Sequence, residues 1–432
     1  MAVLSSTSPG QLSKYVIPTV ESINSGRVST ATKTYTLKKG PENEEAVKAF
    51  LQLGMGGSRT QKDALNIVLQ TTDSRNTEIR IGSLNKPNIK YNLGDMAEGV
   101  VGAAICARFI YKNRNITARQ VYGVLRSMGA PTNYPGKKGK QVEKTFKSAN
   151  LNPKIMDDVR LFISLAEVNM VALLSRGNEN LLKEYVESAV KYANSPNVTK
   201  WSKLVYENNR YDKIEVLSDG LGGQRSTKVD VSVKITDDKG KLMPVDILVS
   251  LKAGDVKQFG QVSGAEFNKQ QDLWGRLFGY NASIKSLEEK YTDLMFMQKK
   301  PDEAVSLVYE FVNRKLNNDL QDQPDIILRN LASAINYFAT LNEENVTLLQ
   351  VGQNRAKVYK FDDIFNRIKG KEYRSKIVKG KSNLPTILIE SDEGKPLIQF
   401  RVKQEFKSDG SPYVRNYIEK QKLMAELLGE TL

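Results

Sequence analysis

The 432-residue chain contains no histidine and only one cysteine. Without histidine, Ser-His-Asp and Cys-His triads and nucleases with a histidine base are excluded. With one cysteine and no histidine, the usual zinc sites are excluded as well. A single cysteine also excludes any intramolecular disulfide. Cys106 lies in an apolar run, which is typical of a buried structural thiol. Any bound metal ion is therefore expected to be a hard cation, Mg²⁺, Mn²⁺ or Ca²⁺, held by carboxylate and carbonyl oxygens.

Long hydrophobic runs are also missing from the sequence. No apolar segment approaches the roughly 20 residues that a membrane-spanning helix needs. The N-terminal sequence lacks the charged start and long apolar stretch of a signal peptide. A Walker-type phosphate loop is absent, which argues against an ATPase. We therefore expect a soluble, cytoplasmic protein without a membrane partner.

Positive charge is abundant and clustered. The chain has 64 Lys and Arg against 49 Asp and Glu, a net charge of +15. Residues 101–160 hold 12 basic against 3 acidic residues, and residues 351–432 hold 17 against 11. Plain solubility would explain a basic protein, but clustered charge favours a polyanionic partner, and DNA is the simplest one.

The order of helical and strand patterns predicts an α+β fold. We expect a mixed sheet core flanked by helices, with a large helical insertion and a C-terminal β-rich basic region. The predicted regions are an N-terminal region with a β-hairpin (1–90), a core (91–112 plus 207–280), a helical insertion (113–206), a helical bundle segment (281–345) and the C-terminal region (346–432).

Several elements can be predicted individually. The N-terminal hairpin would pair Thr77–Ile81 with Asn88–Leu93, and a helix capped by Asp95 would run to Lys112. Residues 116–206 are expected to be mostly helical. Within them lies a basic loop that leads into a short helix. Its lysines are either solvated side chains or, as we favour, contacts to the DNA backbone: Lys137, Lys138, Lys140, Lys144 and Lys147.

Three strands are predicted to form a meander in the core. They are Lys213–Leu217, Lys228–Ile235 and Val245–Lys252. A helix interrupted near Ser263-Gly264 is expected to follow from Asp255, and the chain is expected to end in strands and a helix near 417–428.

The second and third strands of this meander carry the candidate chemistry. Because side chains alternate along a strand, Asp230 is on the polar face of one and Ser250 and Lys252 on that of the other. Antiparallel pairing would bring Asp230 to the end that carries Lys252. An acid can hold a metal ion that activates water, and a lysine can stabilise developing negative charge. Glu98 is the best second acid, and the Leu251 carbonyl could add a ligand.

At this point the chain resembles the PD-(D/E)xK, or restriction-endonuclease-like, nuclease superfamily. Its core runs helix, three meandering strands, helix, strand. The resemblance implies that Asp230 is the first motif acid, Lys252 the motif lysine and Glu98 the helix acid. A glutamine on the following helix would be Gln258 or, as we favour, Gln261. The sequence departs from the family pattern where Ser250 replaces the second acid; we assign it an auxiliary role.

The resemblance implies a Mg²⁺- or Mn²⁺-dependent deoxyribonuclease, either an endonuclease, which we favour, or an exonuclease. The alternative is a catalytically inactive nucleic-acid-binding or virion structural protein with the same fold, which Ser250 favours. The residues also have simpler interpretations: Asp230 as a surface acid, Lys252 as a strand-end lysine and Glu98 as a helix N-terminal charge. The Lys- and Asn-rich composition resembles that of phage proteins. If the protein is phage-encoded, its expected location is the host cytoplasm. The sequence leaves a homo-oligomer open.

Overall fold

The computed structural model describes five strands before residue 92 and most of the chain that follows. From residue 92 onward it describes all positions except 113, 129–140, 150, 153, 155, 209–210, 219–226, 380–383 and 408. The chain divides into two compact units, residues 1–91 and residues 92–432. In the described part, no helix is both long and apolar enough to cross a membrane.

The first unit contains a five-stranded sheet. Its strands are β1 (Val16–Pro18), β2 (Lys33–Leu37), β3 (Ser58–Gln61), β4 (Ala64–Gln70) and β5 (Asn76–Gly82). The order is β1-β2-β5-β4-β3, and only the β2–β5 pair is parallel. The strand predicted at Thr77–Ile81 is confirmed, but it pairs with β4. The C-terminal end of its predicted partner, Asn88–Leu93, is wrong because Leu93 begins a helix. Residues 83–91 lie outside the described part.

The helices of the second unit alternate with strands along the chain. They are α1 (Leu93–Ile110), α2 (Ala118–Ser127), α3 (Leu165–Gly177), α4 (Glu179–Ala193), α5 (Pro196–Glu207), α6 (Phe267–Phe278), α7 (Glu288–Thr292), α8 (Pro301–Asp322), α9 (Pro324–Thr340), α10 (Ile364–Ile368) and α11 (Lys422–Leu428).

The strands of the second unit form two sheets. They are β6 (Gln141–Ala149), β7 (Met156–Ser164), β8 (Tyr211–Ser218), β9 (Val231–Asp237), β10 (Leu248–Ala253), β11 (Gln258–Ser263), β12 (Val346–Gly352), β13 (Arg355–Tyr359), β14 (Tyr373–Lys379), β15 (Pro385–Ser391), β16 (Pro396–Phe406), β17 (Pro412–Lys420) and β18 (Gly429–Thr431). The fold is therefore α+β with a mixed sheet, as the sequence predicts.

The central sheet has the order β18-β13-β12-β10-β9-β8-β7-β6. The β7–β8 and β10–β12 pairs are parallel, and the other neighbours are antiparallel. Strands β8, β9 and β10 form the predicted meander. The second sheet, β11-β17-β16-β15-β14, is antiparallel and shares with α6, α8 and α9 a core around Trp274.

Helix α1 packs closely on the central sheet because its contact face carries small residues. A Cβ atom at Gly99 would lie 3.0 Å from Ile163 Cδ1, and one at Gly102 would lie 3.3 Å from Ser218 Cβ. The helix is also held at its C-terminal end, where the Ser148 hydroxyl donates to the carbonyls of Phe109 (3.0 Å) and Ile110 (2.8 Å). These contacts fix α1, and with it Glu98, over the sheet.

The helical insertion predicted for residues 113–206 is wrong in two places, because β6 and β7 belong to the central sheet. In β7 the apolar residues alternate, and Val159, Leu161 and Ile163 are fully buried. A period of two is a strand pattern, and it ends where Ser164 caps α3. The segment around Lys144 and Lys147 is strand β6 rather than a short helix.

The helices predicted near 255–280 and 417–428 begin later than expected. Residues Gln258–Ser263 form β11, and α6 starts at Phe267. The backbone of Gly260 lies so close to α9 that a Cβ there would be 2.7 Å from Phe338 Cβ. Likewise, Tyr417 belongs to β17, and α11 starts at Lys422. Strand pairing thus overrides the local helical pattern in both segments.

Candidate functional site

The predicted pairing of Asp230 with the end of the third meander strand is confirmed. Val231 is paired with Val249, and the Asp230 N–H donates to the Val249 carbonyl at 2.8 Å. The Leu251 N–H in turn donates to Asp230 Oδ2 at 2.6 Å. The carboxylate is therefore anchored directly to β10, one residue before Lys252.

Helix α1 brings Glu98 to this hairpin. Asn92 caps the helix, with its Oδ1 accepting from the N–H groups of Gly94 (3.2 Å) and Asp95 (3.4 Å). The prediction that Asp95 is the cap is therefore wrong: Asp95 lies in the first turn, where its charge complements the helix dipole. Glu98 is only 8% exposed and interacts electrostatically with both Asp230 and Lys252.

The pKa values show that these groups act on one another. The pKa of Glu98 is raised to about 8, first by burial and then by the nearby Asp230 and Asp95 carboxylates, and the Lys252 ammonium partly offsets the shift. Burial also raises the pKa of Asp230, against the lowering effect of Lys252 and the Leu251 N–H. Two acids and one lysine from α1, β9 and β10 thus form a single interacting charge cluster.

Sequence reasoning missed a fourth member of this cluster, Glu167. It is the third residue of α3, where it forms a capping box with Ser164, and its side chain is fully buried. Burial and the neighbouring Glu98 raise its pKa well above the usual range, and Ser218 and Ser164 partly offset this. Conversely, Glu167 lowers the pKa of Glu98. The Ser-x-x-Glu pattern at 164–167 was the available signal, because it marks a helix start inside the apolar run.

Ser250 is the residue that the sequence resemblance to the nuclease superfamily predicts to replace an acid. Its side chain is 1% exposed, and its hydroxyl lowers the pKa of Asp230. It pairs with Leu348 on the parallel strand β12, so it lies within the sheet rather than at an edge. Ser250 can therefore support Asp230, as expected of an auxiliary residue.

Two other predicted site residues form hydrogen bonds that differ from their predicted roles. The Leu251 carbonyl, suggested as a metal ligand, accepts a hydrogen bond from the Lys252 ammonium at 2.9 Å. Gln261 is exposed on β11, a strand of the second sheet rather than a helix, and its amide is bonded to the Ser263 hydroxyl. Gln258, the other glutamine, lies on the same strand.

The predicted DNA-binding lysines are only partly described. Lys137, Lys138 and Lys140 lie outside the described residues. Lys144 and Lys147 are exposed on β6, the edge strand, where Lys147 forms an ion pair with Asp158. Four strand spacings separate β6 from β10, or roughly 19 Å across the sheet.

The donor set of the cluster is chemically suited to a hard cation. Glu98 and Asp230 offer carboxylate oxygens, and Glu167 Oε1 is buried without a hydrogen-bond partner among the described residues. In that same part of the chain, no three acidic, histidine or cysteine side chains are already grouped to hold an ion. The residue types fit Mg²⁺ or Mn²⁺, with Glu98 and Asp230 interacting with Lys252, and with Glu167 interacting with Glu98.

Comparison of the chain with protein-family models, curated proteins and solved structures finds no match. The function proposed below therefore depends on the geometry and charges of the cluster.

Proposed function

We propose that this protein is a metal-dependent DNA nuclease with a restriction-endonuclease-like core of the PD-(D/E)xK type. The observation that carries the proposal is the single charge cluster formed by Glu98, Asp230 and Lys252. These residues come from three elements that are far apart in sequence. The simpler interpretations, in which each residue is an independent surface charge, do not explain why the three interact.

The order of elements supports the same proposal. Helix α1 is followed, after β6 and β7, by the meander β8–β10, then by β11 of the second sheet, by helices and by β12, which pairs in parallel with β10. Apart from β11, which belongs to the second sheet, this order corresponds to the helix, meander, helix, strand order of that superfamily. The strand pair β6–β7 and its following helices are inserted between α1 and the meander.

Each residue has a chemical role in this proposal. Glu98 and Asp230 would hold the metal ion, with Glu167 behind Glu98. When bound, such an ion polarises a phosphate and lowers the pKa of a bound water. Lys252 places a positive charge beside the Asp230 carboxylate, where it orients the attacking water and stabilises negative charge that develops on the phosphate. The Leu251 N–H keeps Asp230 in position.

Cleavage assays test the proposal directly. Supercoiled plasmid and linear duplex DNA are incubated with the protein and Mg²⁺ or Mn²⁺, so that nicking and end degradation are scored separately. We expect metal-dependent cleavage that Asp230→Ala and Lys252→Ala abolish, and that the exposed turn variant Asp238→Asn retains. Cleavage by both active-site variants at the wild-type rate would refute the assignment.

A second candidate is a nucleic-acid-binding or virion structural protein that keeps the fold without the chemistry. It is favoured by Ser250 at the expected acid position and by the absence, among the described residues, of three grouped acids. If this second candidate is correct, the protein binds DNA equally well with a chelator and with Mn²⁺ and does not cleave it. Salt-sensitive binding without cleavage would select this candidate.

A further inference from the structure

A second basic feature lies beyond the C-terminal ends of β10 and β12. There a cavity of about 450 Å³ opens next to Gly254 and Gly352. This volume is within the range of small-molecule sites. Its charged lining consists of five basic residues and one acid: Lys257, Arg355, Lys357, Lys420, Lys422 and Asp255.

Two glycines form the base of this cavity. Gly254 and Gly352 both have positive φ angles, 63° and 142°. The Gly254 N–H donates to the Val351 carbonyl at 2.8 Å, and a Cβ at Gly352 would lie 3.2 Å from Gly254 Cα. The two strand ends thus approach each other without side chains, which leaves the space above them to the basic residues.

Lys420 is the unusual member of this lining. Its side chain is 4% exposed, and its ammonium donates to the Val256 carbonyl at 2.7 Å and lies over the rings of Tyr359 (4.8 Å) and Phe259 (5.5 Å). Among the described residues, no carboxylate forms an ion pair with Lys420, Lys357, Lys257 or Arg355. A buried lysine without a paired carboxylate is costly unless an anion joins it.

The surroundings of Lys420 have a strong excess of positive charge. Its pKa is lowered to about 7, first by burial and then by the positive charges of Lys252, Lys357 and Lys257, whereas Asp255 acts in the opposite direction. Lys252 is also the lysine of the proposed active site, so the cavity and the charge cluster are close enough to interact electrostatically.

We propose that this cavity binds a phosphate monoester. Lys422 pairs with Glu426 at 4.0 Å, which leaves four basic residues without an ion pair among the described residues against one acid. This excess matches the charge of a terminal phosphate, about −1.5 to −2 at pH 7, better than the single charge of a phosphodiester. Its source is either the phosphorylated end of a nucleic-acid strand or a free mononucleotide. Phosphodiester hydrolysis creates such an end, so the cavity is suited to hold one beside the cleavage site; only this last step rests on the proposed nuclease function.

Equilibrium binding without metal tests the site independently of cleavage. A fluorescent single strand is compared with the same strand carrying a 5′- or a 3′-phosphate, at one fixed salt concentration. We expect one phosphorylated end to bind at least about 10-fold tighter, since about 1.4 kcal/mol corresponds to a factor of 10. Competition with dTMP and with inorganic phosphate distinguishes the sources. Competition by dTMP without an end preference assigns the cavity to a free nucleotide.

Variants locate this binding. Lys420→Met retains the length of the buried side chain, and Lys357→Gln changes a partly exposed lysine. Both are expected to remove the phosphate preference, and the exposed Lys360→Gln, outside the cavity, is expected to retain it. If Lys420→Met fails to fold, Lys357→Gln with Arg355→Gln decides the question. Equal affinity for all strands without dTMP competition, or a preference that survives these variants, would overturn the proposal.

Discussion

The backbone N–H of Leu251 donates a 2.6 Å hydrogen bond to the Asp230 carboxylate, which joins the acid of β9 to the strand that carries Lys252. Because this hydrogen bond comes from the backbone, it keeps the Asp230 carboxylate in place when neighbouring side chains change protonation. The relation between the acid and the lysine is therefore a property of strand register, whereas Glu98 depends on how α1 packs.

Lys252 is expected to serve the reaction but not the binding of metal. Lys252→Met should lower the cleavage rate at least about 100-fold, the usual effect of removing one charge-stabilising donor. Its affinity for Mn²⁺, measured by calorimetry, should be unchanged or tighter, because a repelling cation has been removed. Asp230→Asn should lower both the cleavage rate and the affinity for Mn²⁺.

Lys234 provides the matched control for this variant. It is exposed on β9, in the same hairpin, and pairs with Glu215 on β8. Lys234→Met should cleave DNA at the wild-type rate. A Lys252→Met protein that loses Mn²⁺ binding along with cleavage would contradict the separation of roles.

The raised pKa of Glu98 predicts a dependence of stability on pH. Its pKa rises from 4.5 to about 8 on folding, so the folded state binds the proton more tightly than the unfolded chain. The stabilisation is fully present below pH 4.5 and is lost as pH rises through about 8. Each pKa unit corresponds to about 1.4 kcal/mol, so the loss is on the order of a few kcal/mol.

Urea denaturation with a chelator at pH 5, 6.5 and 8 measures this effect. The free energy of unfolding of the wild type, minus that of Glu98→Gln, should fall steadily over this range because glutamine does not titrate. The exposed Glu310→Gln should give a flat difference. A flat difference for Glu98→Gln as well would show that Glu98 has an ordinary pKa.

Glu167 is expected to act as a positioning residue through Glu98. It lowers the pKa of Glu98, so Glu167→Leu should raise that pKa and move Mn²⁺ binding to higher pH. Glu167→Gln retains a polar group and should shift the profile less. The pH of half-maximal Mn²⁺ binding is the measurement. Equal profiles for both variants and the wild type would leave Glu167 with a structural role only.

The hairpin could be predicted from the sequence because both of its determinants are local. Alternating valines define the buried face of β9, and the turn at 237–240 sets which residue faces Lys252. The approach of Glu98 could only be guessed, since it depends on the small residues of α1. Glu167 could not be found once β7 and α3 were taken as one helix, because the residue then looked like an ordinary polar position.

The same reasoning explains why β11 escaped prediction. Its sequence QFGQVS contains one glycine and two glutamines, and its strand character comes from pairing with β17, more than 150 residues later. Such a partner supplies hydrogen bonds that no local pattern reveals.

The packing of α1 yields a final prediction that compares two glycines. A Cβ at Gly99 would lie 3.0 Å from Ile163 Cδ1 and 3.1 Å from Glu167 Cβ, whereas one at Gly123 in α2 would meet no atom within 4 Å. Alanine restricts the unfolded chain and favours helix, so Gly123→Ala should stabilise the protein by about 0.5–1 kcal/mol.

Gly99→Ala should have the opposite sign. The same helical gain is outweighed by overpacking, which typically costs about 1–3 kcal/mol, because α1 must move away from β7 and α3. That movement also shifts Glu98, so cleavage should fall further than the loss of stability explains. Thermal denaturation and the plasmid assay on both variants provide the measurement. If Gly99→Ala is as stable and as active as Gly123→Ala, close packing of α1 does not position Glu98.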